Sequence, residues 1–261
     1  MKLKTMLLSI LLILFFVNGT IINALTDQEL LAKVDSLVSY FDTDFSAEYT
    51  ILQERPGHGI SRTVAGVFRR DSSETFLIII MEPLISLGQG YLKEGRTLWF
   101  YDPESGRFNT TNNANRFQNT NARNSDFTRS TLAQDYRVVA GEDVTLGRFR
   151  CRLLTLEAVT NEVTFPRMKV WICEDNLLRK TEDYSLSGQL LRTSAIPDYH
   201  VIGGRYVPRQ LRFVDELRGA VINGRFVNES TQINITRPSF GRLPDWYFTK
   251  TFLETVNRED S

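Results

Sequence analysis

The chain has few of the residues that enzymes most often use for catalysis or metal binding. Its 261 residues include two histidines, His58 and His200, and two cysteines, Cys151 and Cys173. Both histidines lie in turn-like sequences without a neighbouring nucleophile or metal ligand, so we expect them in surface loops. No Gly-x-Ser-x-Gly or His-Glu-x-x-His motif is present. We therefore expect no enzyme activity, metal or cofactor; a hydrolase built from side chains distant in sequence is the alternative.

An excess of charge of either sign is also missing. Lys and Arg together number 31, as do Asp and Glu, and the formal net charge is zero. Nucleic-acid binding needs a concentrated basic surface, so we expect no nucleic acid as a partner. Gly88-Gln-Gly90 lacks the strand, glycine-rich loop and helix of a nucleotide site, and it predicts a bend in a strand. The 42% of hydrophobic and 24% of charged residues are typical of a folded globular protein.

A long apolar run occurs only near the start of the chain. Met6 to Val17 is almost entirely apolar, follows two lysines and precedes Ile22-Asn23-Ala24. This run is shorter than the ~20 residues of a membrane-spanning helix and resembles a signal peptide with a small residue before the cut. We expect residues 1–24 to be a cleaved signal peptide, with an uncleaved anchor as the alternative. Residues 25–261 show no repeat or linker, which predicts a single domain.

Strand patterns dominate the rest of the chain. Apolar residues recur at helical spacing from Asp27 to Phe41, with Thr26 or Asp27 as the cap, and a final helix is predicted over 245–256. Predicted strands cover 45–53, 63–70, 75–82, 89–93, 97–102, 137–146, 150–158, 169–174, 177–184, 189–196, 209–217 and 225–235. This order of elements predicts one curved antiparallel sheet, or an open barrel, wrapped on helices.

The stretch from Phe108 to Arg129 interrupts the strand pattern. It contains seven asparagines and little apolar periodicity. We predict a long exposed excursion that ends in a short helix near 126–134. Irregular segments of this length in a compact domain are usually functional or mobile, and a disordered insertion is the alternative.

The two cysteines lie in neighbouring strand patterns. A hairpin centred near Glu162 would place Leu153 opposite Trp171 and Cys151 opposite Cys173. Directly opposed residues in antiparallel strands lie ~4.5–5.5 Å apart, which is within reach of a disulfide. Export to an oxidising compartment favours that bond. We predict a disulfide, with two buried free thiols as the alternative.

One part of the chain resembles the LolA family of periplasmic lipoprotein carriers. Gly95-Arg-Thr-Leu-Trp-Phe-Tyr-Asp-Pro103 is similar to that family's Gly-Lys-Thr-Leu-Trp-x-Tyr-Asn/Asp-Pro segment, and Val67-Phe-Arg-Arg-Asp71 resembles its strand that ends in a basic pair. Pro83 matches a proline before the family's hairpin, whereas Asp71 stands where the family has proline. The polar stretch after Phe108 and the extended C-terminus look more like the broader LolA-like group of outer-membrane lipoprotein-sorting proteins.

The resemblance implies a fold and a set of site residues. The fold would be mainly β: an incomplete antiparallel barrel wrapped around a helical lid, with N-terminal and C-terminal helices. The residues expected at an apolar cavity are Phe68, Arg70, Ile78, Ile80, Leu98, Trp99 and Tyr101. Arg70 matches an arginine implicated in lipoprotein transfer and would tune closure of the lid; a surface ion pair is the alternative. Ordinary core packing is the alternative for the aromatic residues.

The resemblance also implies a function. The protein would be a periplasmic carrier that binds the acyl chains of lipoproteins or phospholipid for outer-membrane sorting. It would act as a monomer with membrane-bound donor and acceptor proteins as further partners. A non-catalytic envelope sensor or scaffold, which uses the same fold to bind a protein partner, is the alternative.

Overall fold

The computed structural model describes residues 25–256, so the predicted signal peptide lies outside the described residues. The helices are α1 (Asp27–Leu37), α2 (Leu132–Asp135) and α3 (Lys250–Thr255). The strands are β1 (Phe45–Arg55), β2 (Gly59–Arg70), β3 (Thr75–Glu82), β4 (Gly90–Glu94), β5 (Thr97–Asp102), β6 (Arg107–Thr111), β7 (Tyr136–Leu146), β8 (Phe149–Ala158), β9 (Arg167–Cys173), β10 (Leu178–Tyr184), β11 (Leu190–Ala195), β12 (Tyr199–Ile202), β13 (Arg205–Pro208), β14 (Gln210–Ile222) and β15 (Arg225–Phe240). None of the described helices is long and apolar enough to cross a membrane.

Thirteen strands form one sheet in the order β6-β5-β4-β3-β2-β1-β15-β14-β11-β10-β9-β8-β7, and β12 pairs with β13 in a separate hairpin. Neighbouring strands are antiparallel, as in the contact between β1 and β15 that joins the two halves. Since β6 and β7 do not pair with each other, the barrel stays open. The predicted fold class, a mainly β incomplete antiparallel barrel with helices at both ends, is confirmed.

Local sequence patterns predicted the ends of most helices and strands to within a few residues. Helix α1 begins with the expected cap: Thr26 and Glu29 form a reciprocal capping box. The helix ends at Leu37 rather than at Phe41, and the backbone N–H of Tyr40 donates to a buried carboxylate oxygen of Asp71. Strands β6, β12 and β13 were not predicted. β6 is a short, polar and largely exposed edge strand, and β12 and β13 have four residues each, which is too short to show alternation of apolar residues.

The cysteine hairpin has the predicted register. Cys151 lies opposite Cys173 and Leu153 lies opposite Trp171. The two sulfur atoms form a disulfide that spans a sequence separation of 22 residues. The bond ties β8 to β9 beside the edge strand β7.

Removing this disulfide should lower the free energy of unfolding. A loop of this size predicts a loss of about 3 kcal/mol, because the open chain gains conformational freedom when it unfolds. We expect the C151A/C173A variant and the reduced protein to show similar shifts in urea midpoint. An unchanged midpoint in both would contradict the prediction.

The sheet is covered on both faces. The inner face packs against residues 112–135, called here the covering segment, and against α1. The outer face of β2 to β6 packs against residues 243–256, called here the C-terminal segment. Gly90 allows the C-terminal segment to approach closely, since a Cβ atom at this position would clash with a methyl carbon of Leu253.

The covering segment corrects the expectation of an exposed excursion. Phe117, Ala122 and Phe127 are almost fully buried in the inner-face core. The segment consists of 3-10 helices over Phe117–Asn119 and Asn124–Phe127, followed by α2. Its buried apolar side chains lie five residues apart, which matches neither a helical nor a strand period, so the sequence gave no apolar signal.

Candidate functional site

A cavity of about 320 Å³ lies between α1, the covering segment and the inner face of the sheet. The apolar residues in its wall are Val34, Val38, Tyr40, Phe45, Tyr49, Leu132, Tyr136, Val163, Phe165, Met168, Leu178, Ile196, Tyr199, Val207, Pro208, Leu211, Phe213 and Ile235. The polar part of the wall comes from the covering segment, including Asn113, Ser125 and Thr128, and from the sheet, including Arg69, Thr181, Arg192 and Ser194. The volume is at the small end of the ~300–1,000 Å³ found for small-molecule sites.

A buried arginine links two carboxylates beside the cavity. Arg192 donates from Nε to Asp183 at 2.7 Å and from Nη1 to Asp126 at 2.6 Å. Its guanidinium carbon lies 4.7 Å from the ring centroids of both Phe165 and Phe213. Burial opposes the charge, but the two carboxylates outweigh it and raise the pKa of Arg192, which therefore stays charged. Because Asp126 belongs to the covering segment, this ion pair also fastens that segment to the sheet.

A second arginine lies at the other side of the cavity. Arg69 donates to Asp71 at 2.7 and 2.8 Å and to the carbonyl oxygen of Val38 at 3.0 Å. Its guanidinium also covers the rings of Tyr40 and Phe45. Asp71 stands where the LolA family has proline. In this chain its carboxylate instead holds Arg69 and the chain that follows α1.

Arg70, the predicted cavity arginine, points to the outer face because successive residues of a strand alternate. It donates to Asp44 at 2.9 and 2.8 Å, to Asp245 at 2.7 Å and to the carbonyl oxygen of Leu243 at 2.7 Å. Burial favours the neutral carboxyl of Asp44, but the bonds from Arg70 and Leu243 outweigh it and lower the Asp44 pKa. Arg70 therefore fastens the C-terminal segment rather than the covering segment.

None of the other six predicted residues lines the cavity either. Ile78, Ile80 and Leu98 are buried in the inner-face core, outside the cavity wall. Phe68, Trp99 and Tyr101 pack on the outer face against the C-terminal segment. The Nζ atom of Lys250 lies 3.3 Å from the centroid of the Trp99 ring. Both faces of these strands are buried, so alternation alone could not tell which face borders the cavity.

The sequence analysis missed the ion-pair residues around Arg192. Asp183 and Arg192 lie directly opposite each other in the hairpin of β10 and β11, but a β-bulge between Asp183 and Tyr184 shifts the register by one residue. The turn at Ser187-Gly188 alone therefore does not predict this pair. The pairing of Arg192 with Asp126 could not be predicted either, because 66 positions separate the two residues.

Further polar contacts hold the covering segment in place. The backbone N–H of Asn121 donates to Gln53 Oε1 at 3.1 Å and to Thr231 Oγ1 at 2.8 Å. Arg116 pairs with Asp215, and Arg129 pairs with Glu74.

At the end of the covering segment, Asp35 of α1 accepts from Ser130 Oγ at 2.5 Å and from the N–H groups of Leu132 and Ala133 at 3.2 and 2.8 Å. Burial raises the pKa of Asp35 despite these bonds. The covering segment is thus attached by separate polar contacts along its length.

One hydroxyl in the wall has no partner. Ser194 Oγ is buried, belongs to a residue of the cavity wall and makes no hydrogen bond within the described residues. A buried polar atom is normally satisfied by protein, water or ligand. Because the oxygen atom itself has almost no exposed surface, a ligand in the cavity reaches it only if the wall moves.

Comparisons with known proteins agree with this architecture. A family model described as "-like: Uncharacterized protein" matches residues 72–255. No curated protein matches the chain. A solved structure of a LolA superfamily protein from Nitrosomonas europaea is similar, with a TM-score of 0.73 and 26% identity over 88% of this chain and 100% of that chain.

Two further solved structures show the same fold. One is an outer membrane lipoprotein-sorting protein domain from Vibrio parahaemolyticus, with a TM-score of 0.74 and 16% identity over 87% of this chain and 97% of that chain. The other is a DUF1329 family protein from Desulfovibrio piger, with a TM-score of 0.73, 18% identity and the same two coverages. The chain belongs to the family that the matching model describes, and it has the LolA-like fold.

Proposed function

We propose that this protein is a non-enzymatic carrier that binds an acyl chain of a lipoprotein or phospholipid in the cavity beneath the covering segment. The observation that carries the proposal is an apolar cavity whose cover is attached to the sheet by separate polar contacts. The LolA-like fold supports it, and the predicted signal peptide would place the carrier in the periplasm.

The energetics of such a carrier favour reversible binding. Each buried methylene group contributes about 0.8 kcal/mol, so a long chain of about 15 methylenes gains roughly 12 kcal/mol. Association costs about 4–15 kcal/mol, which leaves the net affinity moderate. A cavity of about 320 Å³ is small for a long acyl chain, so full loading requires the covering segment to move.

Binding of a fluorescent fatty-acid probe tests the proposal. We expect the probe to bind and to be displaced by phospholipid or an acylated peptide. Leu211 lines the cavity and is only partly buried, so Leu211→Asp should fold yet weaken probe binding by at least about tenfold, since a buried unpaired carboxylate opposes an acyl chain. Leu217→Asp is the matched control, because Leu217 is an exposed residue of the same strand.

Mass spectrometry of protein purified from the cell envelope gives a second readout. Co-purified phospholipid or acylated peptide is the expected result. Protein that carries no lipid, binds no probe and retains a tightly bound protein partner would instead support the sensor or scaffold function. Release of fatty acid from phospholipid by the purified protein would contradict the non-enzymatic proposal.

A further inference from the structure

Two hairpins project side by side from one end of the sheet. Strand β1 pairs with β2 as far as Arg55 and Gly59, and β14 pairs with β15 as far as Ile222 and Arg225. The neighbouring strands stop short of these ends, since the last pair of β3 with β2 is Glu82 with Val64. We call residues 55–62 and 217–228 the hairpin tips. The tips are adjacent, because a Cβ atom at Gly57 would lie 3.8 Å from Ile222 Cδ1.

The hairpin tips carry exposed apolar side chains. Ile60 and Val221 are 67% exposed and Phe226 is 55% exposed. The exposed apolar residues of the tips are Ile60, Leu217, Val221, Ile222, Phe226 and Val227. The turns 71–74 and 94–96, at the opposite ends of the strands, carry no exposed large apolar residue. A cluster of exposed apolar side chains of this kind marks an interaction site.

The apolar residues of the β14–β15 tip occupy both faces of the hairpin. Val221 lies opposite Phe226, whereas Ala220 lies opposite Val227 and Ile222 opposite Arg225. Directly opposed residues share a face and successive residues alternate, so Phe226 and Val227 point to opposite sides. A groove on a partner protein would cover one of these sides. The interface of a lipid bilayer surrounds an inserted hairpin and covers both.

The charge of the tips is of one sign. Residues 55–62 and 217–228 contain four arginines and no Asp or Glu, although the whole chain has equal numbers of basic and acidic residues. Arg218 and Arg62 have carboxylate partners outside the tips, and Arg55 donates to the carbonyl oxygen of Asn119. Arg225, at the turn, makes no ion pair within residues 25–256. Basic side chains beside apolar ones are the pattern of segments that bind anionic lipid surfaces.

We propose that the two hairpin tips dock this protein on the surface of an anionic phospholipid membrane. Val221, Ile222, Phe226 and Val227 insert into the interface, and Arg225 contacts lipid phosphate. This docking depends only on the exposed apolar and basic side chains of the hairpin tips, and it does not depend on what the cavity binds.

Site-specific fluorescence on the full mature chain tests the docking. The two native cysteines are joined in the disulfide, so one introduced cysteine can be labelled selectively. With a polarity-sensitive dye at V221C, we expect a blue shift on vesicles that contain phosphatidylglycerol, a smaller shift at high salt and little shift on neutral vesicles. The matched control is V201C. Val201 is 64% exposed and lies in the hairpin of β12 and β13, which contacts β15 at Ile235, about 30 Å along the strand from Arg225.

Variants separate the proposal from its alternatives. V221D/F226D should lose vesicle binding in flotation assays by at least tenfold, and R225E should weaken it on anionic vesicles only, whereas V201D should bind like the wild type. All four positions are exposed, so these proteins should fold. Equal shifts at V221C and V201C, or no vesicle binding by the wild type, would overturn the proposal. A dye at V221C that responds to a purified protein partner but not to vesicles would also overturn it and assign the tips to protein binding.

Discussion

Replacing Arg192 with methionine is expected to lower the free energy of unfolding by about 3–5 kcal/mol, because the change leaves buried carboxylates without a counter-charge. Asp183 is fully buried, and Asp126 is held in the covering segment against the same guanidinium. Methionine keeps the apolar contacts to Phe165 and Phe213, so the loss reports mainly the ion pairs. Urea unfolding would measure this loss of stability, with an unchanged dependence of the unfolding free energy on urea concentration.

Arg209→Met is the matched control for this prediction. Arg209 pairs with Asp198 at 2.9 Å, but both side chains are more than half exposed. Exposed ion pairs contribute about 0–1 kcal/mol, so this variant should unfold close to the wild type. If the two variants lose similar amounts of stability, the buried ion pairs of Arg192 do not hold the covering segment as we describe.

Asp126→Asn separates attachment of the covering segment from global stability. The amide keeps the size of the carboxylate but removes its charge, while Asp183 still pairs with Arg192. We expect faster hydrogen exchange in residues 112–135 and faster uptake of the fatty-acid probe, with a smaller loss of stability than in Arg192→Met. Unchanged exchange in the covering segment would show that the other polar contacts suffice to hold it.

Replacing Phe127 with alanine is the second change with a large expected effect. Phe127 is 2% exposed, and its ring centroid lies 4.4 Å from that of Phe117 and 5.9 Å from that of Tyr49. Truncating a buried phenylalanine costs about 3–5 kcal/mol, because apolar contacts are lost and a void remains. Since Tyr49 also lines the cavity, that void should join it.

A joined cavity makes a specific prediction about ligand length. We expect Phe127→Ala to bind long-chain fatty-acid probes better, relative to short ones, than the wild type does. Phe226→Ala is the control, because its exposed ring should change stability by no more than about 0.5 kcal/mol. A destabilised Phe127→Ala protein with an unchanged chain-length preference would place the ligand elsewhere and argue against the carrier proposal.

Arg69 and Arg70 show how a family resemblance can point to the residue next to the one that lies at the cavity. The motif directed attention to Arg70, which matches the family's arginine. In this chain Arg69 lies at the cavity, and Arg70 holds the C-terminal segment through Asp44, Asp245 and the carbonyl oxygen of Leu243. Adjacent residues on a strand face opposite sides, so the choice depends on which face of the sheet each covering element occupies.

The sequence by itself determined the local elements of this protein. The capping box of Thr26 and Glu29 fixed the start of α1, and the hairpin between β8 and β9 fixed the pairing of Cys151 with Cys173. These features depend on residues within one turn or one hairpin, where spacing alone sets the geometry. The order of many short strands between two helices predicted one curved antiparallel sheet or an open barrel, and the resemblance to the LolA family selected the open barrel.

The tertiary structure alone decided which face of the sheet borders the cavity and where the asparagine-rich stretch lies. Trp99 and Leu98 are neighbours in β5, and both are covered, one by the C-terminal segment and the other on the inner face. When both faces of a strand are covered, the alternation of side chains does not show which face borders the cavity. The covering segment is fixed by contacts such as that of Asn121 with Thr231, 110 positions apart. Such contacts join segments that are distant in the sequence and adjacent in the fold, so no local pattern in the sequence encodes them.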